Sequence, residues 1–176
     1  MKAVLDACVL YPTVLREVLL GAARAGLYQP LWSARILEEW ARAAAKLGPA
    51  QEALARGESA LTRAGFAGAE GAANPALEAR LWLPDPADVH VLATAISAGA
   101  DAIVTFNAKD FPRGALAEEG LARLDPDGFL LGLDRDTVAG VAEAVRAEAE
   151  RLSGEVQPIR ALMKRAGLPR LGKALG

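Results

Sequence analysis

Asp6 follows the apolar run Ala3-Val4-Leu5 without a break. A carboxylate at the buried end of a strand costs several kcal/mol unless it is paired or bound to a cation. Five other acidic residues, at three places in the chain, stand where an α/β chain places its ligand rim. Glu38 and Glu39 fall in the second turn of a helix that Ser33 would cap. Asp85 and Asp88 open a further helix, and Asp110 lies just past the most β-prone run of the chain, 102–106. Each has a plain structural reading. Asp85 is a good N-cap before Pro86, and Asp88 would complement the helix dipole. Glu38 and Glu39 fit a solvated helix face, and Asp110 a loop. Taken together, Asp6, Glu39, Asp88 and Asp110 are expected to converge. Carboxylates about 5 Å apart repel by roughly 3 kcal/mol per pair at an effective dielectric of 20, which only a cation relieves. Cys8 and His90 are the only Cys and His in the chain, so no Cys/His zinc set competes with the acids. Oxygen ligands select hard ions, Mg²⁺ or Mn²⁺, and such centres suit phosphodiester hydrolysis.

The elements that would position these acids alternate. A first strand is expected over 2–5, a helix over 13–25 opened by Pro12 and stopped by Gly26, and a second strand over 27–32. Helices follow over 34–46 and 50–64. A glycine-rich loop spans 65–75, and residues 80–83 suggest a strand. A helix over 86–98, a strand over 102–106 and a short strand over 121–124 complete the α/β pattern. From 127 onward only helix is expected, over 136–153 and 158–166. Alternation of this kind implies a mainly parallel sheet in an α/β fold, with ligands beyond the carboxyl ends of the strands. Two domains are read: 1–126, and a helical appendage over 127–176.

The 176 residues carry 20 basic and 22 acidic side chains, a formal net charge of −2. That balance excludes a globally basic nucleic-acid coat, though not a local patch. The segment 156–176 has five basic residues and no acid. A single Cys excludes a disulfide scaffold and fits a reducing cytosol, so a cytoplasmic protein is expected. No apolar run reaches membrane-spanning length, and Asp6 interrupts the N-terminal apolar stretch too soon for a signal peptide.

Four motifs, in order, resemble a known family. They are Val4-Leu5-Asp6-Ala7-Cys8-Val9-Leu10-Tyr11-Pro12, Leu31-Trp32-Ser33-Ala34-Arg35-Ile36-Leu37-Glu38-Glu39-Trp40, Asp85-Pro86-Ala87-Asp88-Val89-His90-Val91-Leu92-Ala93-Thr94-Ala95, and Ile103-Val104-Thr105-Phe106-Asn107-Ala108-Lys109-Asp110-Phe111-Pro112. The pattern across about 1–112 resembles PIN-domain nucleases, most closely the VapC-like toxin branch with a helical C-terminal extension. The resemblance implies a three-layer α/β/α fold and an endoribonuclease that uses Mg²⁺ or Mn²⁺. It also implies a homodimer and an antitoxin partner. It assigns the catalytic acids to Asp6, Glu39, Asp88 and Asp110, with Asp6, Asp88 and Asp110 on the metal. Asn107 stands where many members carry a further acid. Thr105 would orient Asp6 or a water, and Arg16 would either reach a phosphate or be solvated. Two rivals stand beside this reading. One is a non-catalytic PIN-like module that binds RNA or protein. The other is a phosphate-ester hydrolase with Asp6 as nucleophile, which lacks the second acid expected two residues later.

Overall fold

The computed structural model describes residues 1–176. In chain order the elements are β1 (Lys2–Leu5), α1 (Ala7–Leu10), α2 (Thr13–Arg24), β2 (Gln29–Ser33), α3 (Ala34–Ala45), α4 (Pro49–Gly65), β3 (Glu70–Gly71) and α5 (Pro75–Glu78). A 3₁₀ turn, Pro86–Asp88, leads into α6 (Val89–Ser97), then β4 (Ala102–Val104), α7 (Arg113–Glu118), β5 (Ala122–Leu124), α8 (Pro126–Leu131), α9 (Arg135–Ser153), α10 (Ile159–Arg165) and α11 (Pro169–Leu175). The fold is α/β, with strand order β3-β2-β1-β4-β5. β1 pairs in parallel with β2 and β4, and β2 with β3. No helix is long and apolar enough to cross a membrane.

Contacts divide the chain into two compact units. One comprises Met1–Tyr11 and Gln29–Arg123, the other Pro12–Tyr28 and Leu124–Gly176. In the first unit β1 and β4 are continuous apolar runs because both sheet faces are covered, as parallel strands require. Ala3, Val4, Leu5, Ile103 and Val104 are fully buried. α3 starts where Ser33 accepts a hydrogen bond from the Ile36 N–H at 3.2 Å, the expected cap. Its Ile36, Leu37, Trp40, Ala41 and Ala44 recur at helical spacing and are buried. α6 is buried nearly all round, from Val89 to Ala95.

The second unit is helical. α2 packs on α9, where a side chain at Gly21 would collide with the Val141 methyl. Tyr28 meets Phe129 edge to face at 4.8 Å and donates its hydroxyl to the Leu19 carbonyl. Buried Asp127 accepts the Arg170 and Leu171 N–H groups at 2.8 and 2.9 Å, tying α8 to α11.

Several sequence expectations are corrected. Residues 80–83 form no strand: Trp82 is 72% exposed, and Pro84 offers no N–H to a ladder. The added strand is instead Glu70–Gly71, inside the expected loop, paired with Trp32 and Ser33. Two residues at a sheet edge carry no alternation to read. The short helices α1 and α7 are too short to show a period, whereas α8 and α11 fall in the stretch expected to be helical.

Candidate metal centre

The parallel register sets the site. β1 and β4 align Leu5 with Val104, and the Asp6 N–H donates to the Val104 carbonyl at 3.2 Å. Asp6 and Thr105 therefore leave the sheet side by side. Thr105 donates its hydroxyl to Asp6 Oδ2 at 2.7 Å, and the Asn107 N–H donates to that hydroxyl oxygen at 2.9 Å. Asp6 stands at the N-cap of α1 but gives no side-chain cap bond. Its carboxylate is instead committed to Thr105 and to Cys8, whose Sγ lies at 3.2 Å. Burial, reinforced by the Asp6 charge, pushes the Cys8 thiol up to about 12, so it remains protonated.

Asn107 joins two further acids. Its Nδ2 donates to Asp88 Oδ2 at 3.0 Å, and its Oδ1 accepts from the Asp110 N–H at 3.4 Å. Carboxylate oxygens of Asp85, Asp88 and Asp110 lie within 4.8 Å of one another. Asp88 shows the consequence. Partial burial, then the charges of Asp6, Asp85, Asp110 and Glu39, raise its pKa to about 6. Of the four expected acids, Asp6, Asp110 and Glu39 each bear electrostatically on the fourth, Asp88. Asp85 does so too, and it is Asp85 and Asp110 whose oxygens lie in close range of Asp88. Asp85 caps the 3₁₀ turn by accepting from the Ala87 N–H at 2.9 Å, as its sequence position implied, and its place in the cluster was missed. Its three-residue spacing from Asp88 on one helical turn was the available signal.

Glu38 and Glu39 are separated by their partners. Glu38 is held by Arg56 at 2.8 Å and Arg42 at 3.2 Å, hydrogen bonds that pull its pKa down to about 2. Glu39 faces buried His90, whose Nε2 lies 2.8 Å from its Oε1 without aligning as a hydrogen bond, and Arg35 at 3.5 Å. Arg16 lies in the second unit and is 2% exposed, so it is not a solvated arginine; its Nε is 3.7 Å from Glu17.

The donor set fits a hard divalent cation. It is all oxygen and acidic, and partial burial together with the neighbouring acids raises the pKa of one member, Asp88, to about 6. Ligand oxygens about a magnesium-sized ion lie up to about 4.2 Å apart, close to the observed spread.

A family model described as a PIN domain matches residues 2–109, a segment that includes Asp6, Glu39, Asp88 and Asn107 and ends one residue before Asp110. Comparison with curated proteins and with solved structures gave no match.

Proposed function

Because the chain belongs to the PIN-domain family, whose members are generally metal-dependent nucleases, we propose that it is a Mg²⁺- or Mn²⁺-dependent endoribonuclease. The convergence of Asp6, Glu39, Asp85 and Asp110 on Asp88 carries this reading. Asp6, Asp88 and Asp110 would hold the ion, with Glu39 completing the acidic locus. A divalent ion bound there supplies charge neutralisation for a phosphodiester and lowers the pKa of water.

The chain's own residues do the positioning. Thr105 fixes Asp6 through Oδ2, leaving Oδ1 for a ligand. Asn107 orients Asp88 with an N–H while adding no charge. Within the family we place the chain in the VapC-like toxin branch, with residues 127–176 as a helical extension, an antitoxin as partner, a homodimeric state and a cytoplasmic location. The motif resemblance supports these finer assignments.

The test is incubation with tRNA, rRNA and mRNA plus Mg²⁺ or Mn²⁺, with chelator controls and mapping of product ends. Asp6→Asn is expected to reduce cleavage at least about 100-fold, since losing a direct ligand should exceed the loss of a supporting contact, while circular dichroism stays native. Cleavage by Asp6→Asn at the wild-type rate overturns the site. A second reading, a PIN module that binds without cutting, draws on neutral Asn107 standing where an acid is common. Calorimetry separates the two: absence of Mn²⁺ binding favours the module.

A further inference from the structure

Charge is segregated along this chain. All 22 acidic residues and 15 of the 20 basic ones lie in 1–155, leaving that part at −7, while 156–176 carries five basic residues and no acid. A protein that binds a polyanionic substrate through an acidic centre gains no long-range attraction from that centre or from a net charge of −7 over residues 1–155. Attraction for phosphates must come from cations left unneutralised elsewhere.

The C-terminal helices supply them. α10 and α11 form a tight hairpin turned at Gly167, whose φ of +81° suits glycine. At Gly172 an added Cβ would lie 2.9 Å from the Arg160 carbonyl oxygen and 3.0 Å from Met163 Cβ, and at Gly176 3.2 Å from Arg160 Cβ. The two helices therefore touch backbone to backbone, over buried Leu162, Met163, Leu168 and Leu171. Asp127 pins the start of α11, so the hairpin is a preorganised surface and not a loose tail.

Its cations divide into two kinds. Arg170 is consumed by Asp125 at 2.7 Å and Asp127 at 3.3 Å. Arg165 meets only the neutral Gln157 amide oxygen. Arg160, Lys164 and Lys173 are exposed, and no side-chain carboxylate forms an ion pair with them, whereas Arg170 on the same hairpin has two. Arg160 and Lys164 share one face of α10 at i,i+4 spacing, and Lys173 adjoins the Gly172 contact with Arg160.

We propose that this hairpin face, built on Arg160, Lys164 and Lys173, binds the phosphate backbone of RNA. The assignment rests on the nuclease reading for its choice of polyanion. The uncompensated charge and its rigid mounting are independent of that reading.

The test compares the wild-type chain with Arg160→Gln/Lys164→Gln/Lys173→Gln in fluorescence anisotropy, using a labelled oligouridylate with chelator present so that nothing is cut. A control variant, Lys46→Gln/Arg80→Gln/Arg113→Gln, removes three exposed cations elsewhere. If each hairpin cation neutralises one phosphate, the slope of log affinity against log salt flattens by about 2 in the hairpin variant. Affinity at low salt should fall about tenfold or more, and the control should change far less. Equal losses in both variants, an unchanged slope in the hairpin variant, or equal affinity of the wild type for polyglutamate overturns the proposal. Hydrolysis of bis-p-nitrophenyl phosphate with Mn²⁺ reads the acidic centre separately. If both proteins hydrolyse it and oligouridylate binding is unchanged, the hairpin proposal falls and the nuclease reading stands. If neither hydrolyses it and the binding loss persists, the hairpin stands and the nuclease reading falls.

Discussion

Asp88 concentrates the physics of the centre in one titration. In the unfolded chain it ionises near 4, whereas in the fold burial and four acidic neighbours delay ionisation to about pH 6. The metal-free folded state therefore binds more protons than the unfolded state between those values. Stability from this group is fully present below about pH 4 and is lost as pH rises through 6. Asp88 is only partly buried and solvent screens its neighbours, so metal-free protein should lose on the order of 1 kcal/mol from this source between pH 4.5 and 7. Urea melts across that range check it, and Asp88→Asn should abolish this component. A saturating divalent cation, which favours the carboxylate, should remove the trend as well. The two adjacent glutamates show how neighbours decide which acid is available. Glu38 has its charge answered by two arginines, while Glu39 faces a buried imidazole and the cluster.

At the scale of elements, precision comes from how helices and strands begin and end. Ser33 ends β2 and caps α3, so one residue sets both the strand exit and the rotation that carries Glu39. Ser33→Ala should cost about 1 kcal/mol in chemical denaturation. Because fraying there reaches the turn before Glu39, Mn²⁺ affinity measured by calorimetry should weaken with it. Ser33, the apolar stripe Ile36, Leu37, Trp40 and Ala44 of α3 and the 102–106 run are readable from sequence, and burial adds Ala41 to the stripe. The 3₁₀ turn Pro86–Asp88 is not readable there. Its sequence position reads as the first turn of a helix, and in the fold Asp85 caps it by accepting from the Ala87 N–H. The two-residue β3 and the four-residue α1 lie below the length at which periodicity exists.

For the whole molecule, the acidic centre concentrates like charges whose repulsion a bound cation would relieve. Binding to the folded state alone stabilises it by RT ln(1 + [M]/Kd), about 2.7 kcal/mol at one hundred times Kd. Mn²⁺ should therefore raise the melting temperature measured by calorimetry, and chelator should reverse the rise. Asp6→Asn should show a much smaller increase. No such linkage in the wild type would mean that the cluster takes no cation. The same charge bookkeeping assigns opposite electrostatic characters to residues 1–155 and to the C-terminal hairpin.

The sequence by itself determined the α/β class and the sheet's central strands, and it singled out Asp6, Glu39, Asp88 and Asp110 as candidate acids. Each is written locally, as an apolar run, a cap or an acid at the exit of a strand or the start of a helix. Tertiary structure alone decided what those acids meet. The Leu5–Val104 register puts Thr105 on Asp6, and the chain after β4 brings Asn107 to Asp88. The fold also adds Asp85 to the cluster, sets His90 against Glu39 and buries Arg16. These contacts join residues up to 99 positions apart. No local pattern encodes such distances, because they follow from strand pairing and helix packing across the whole chain.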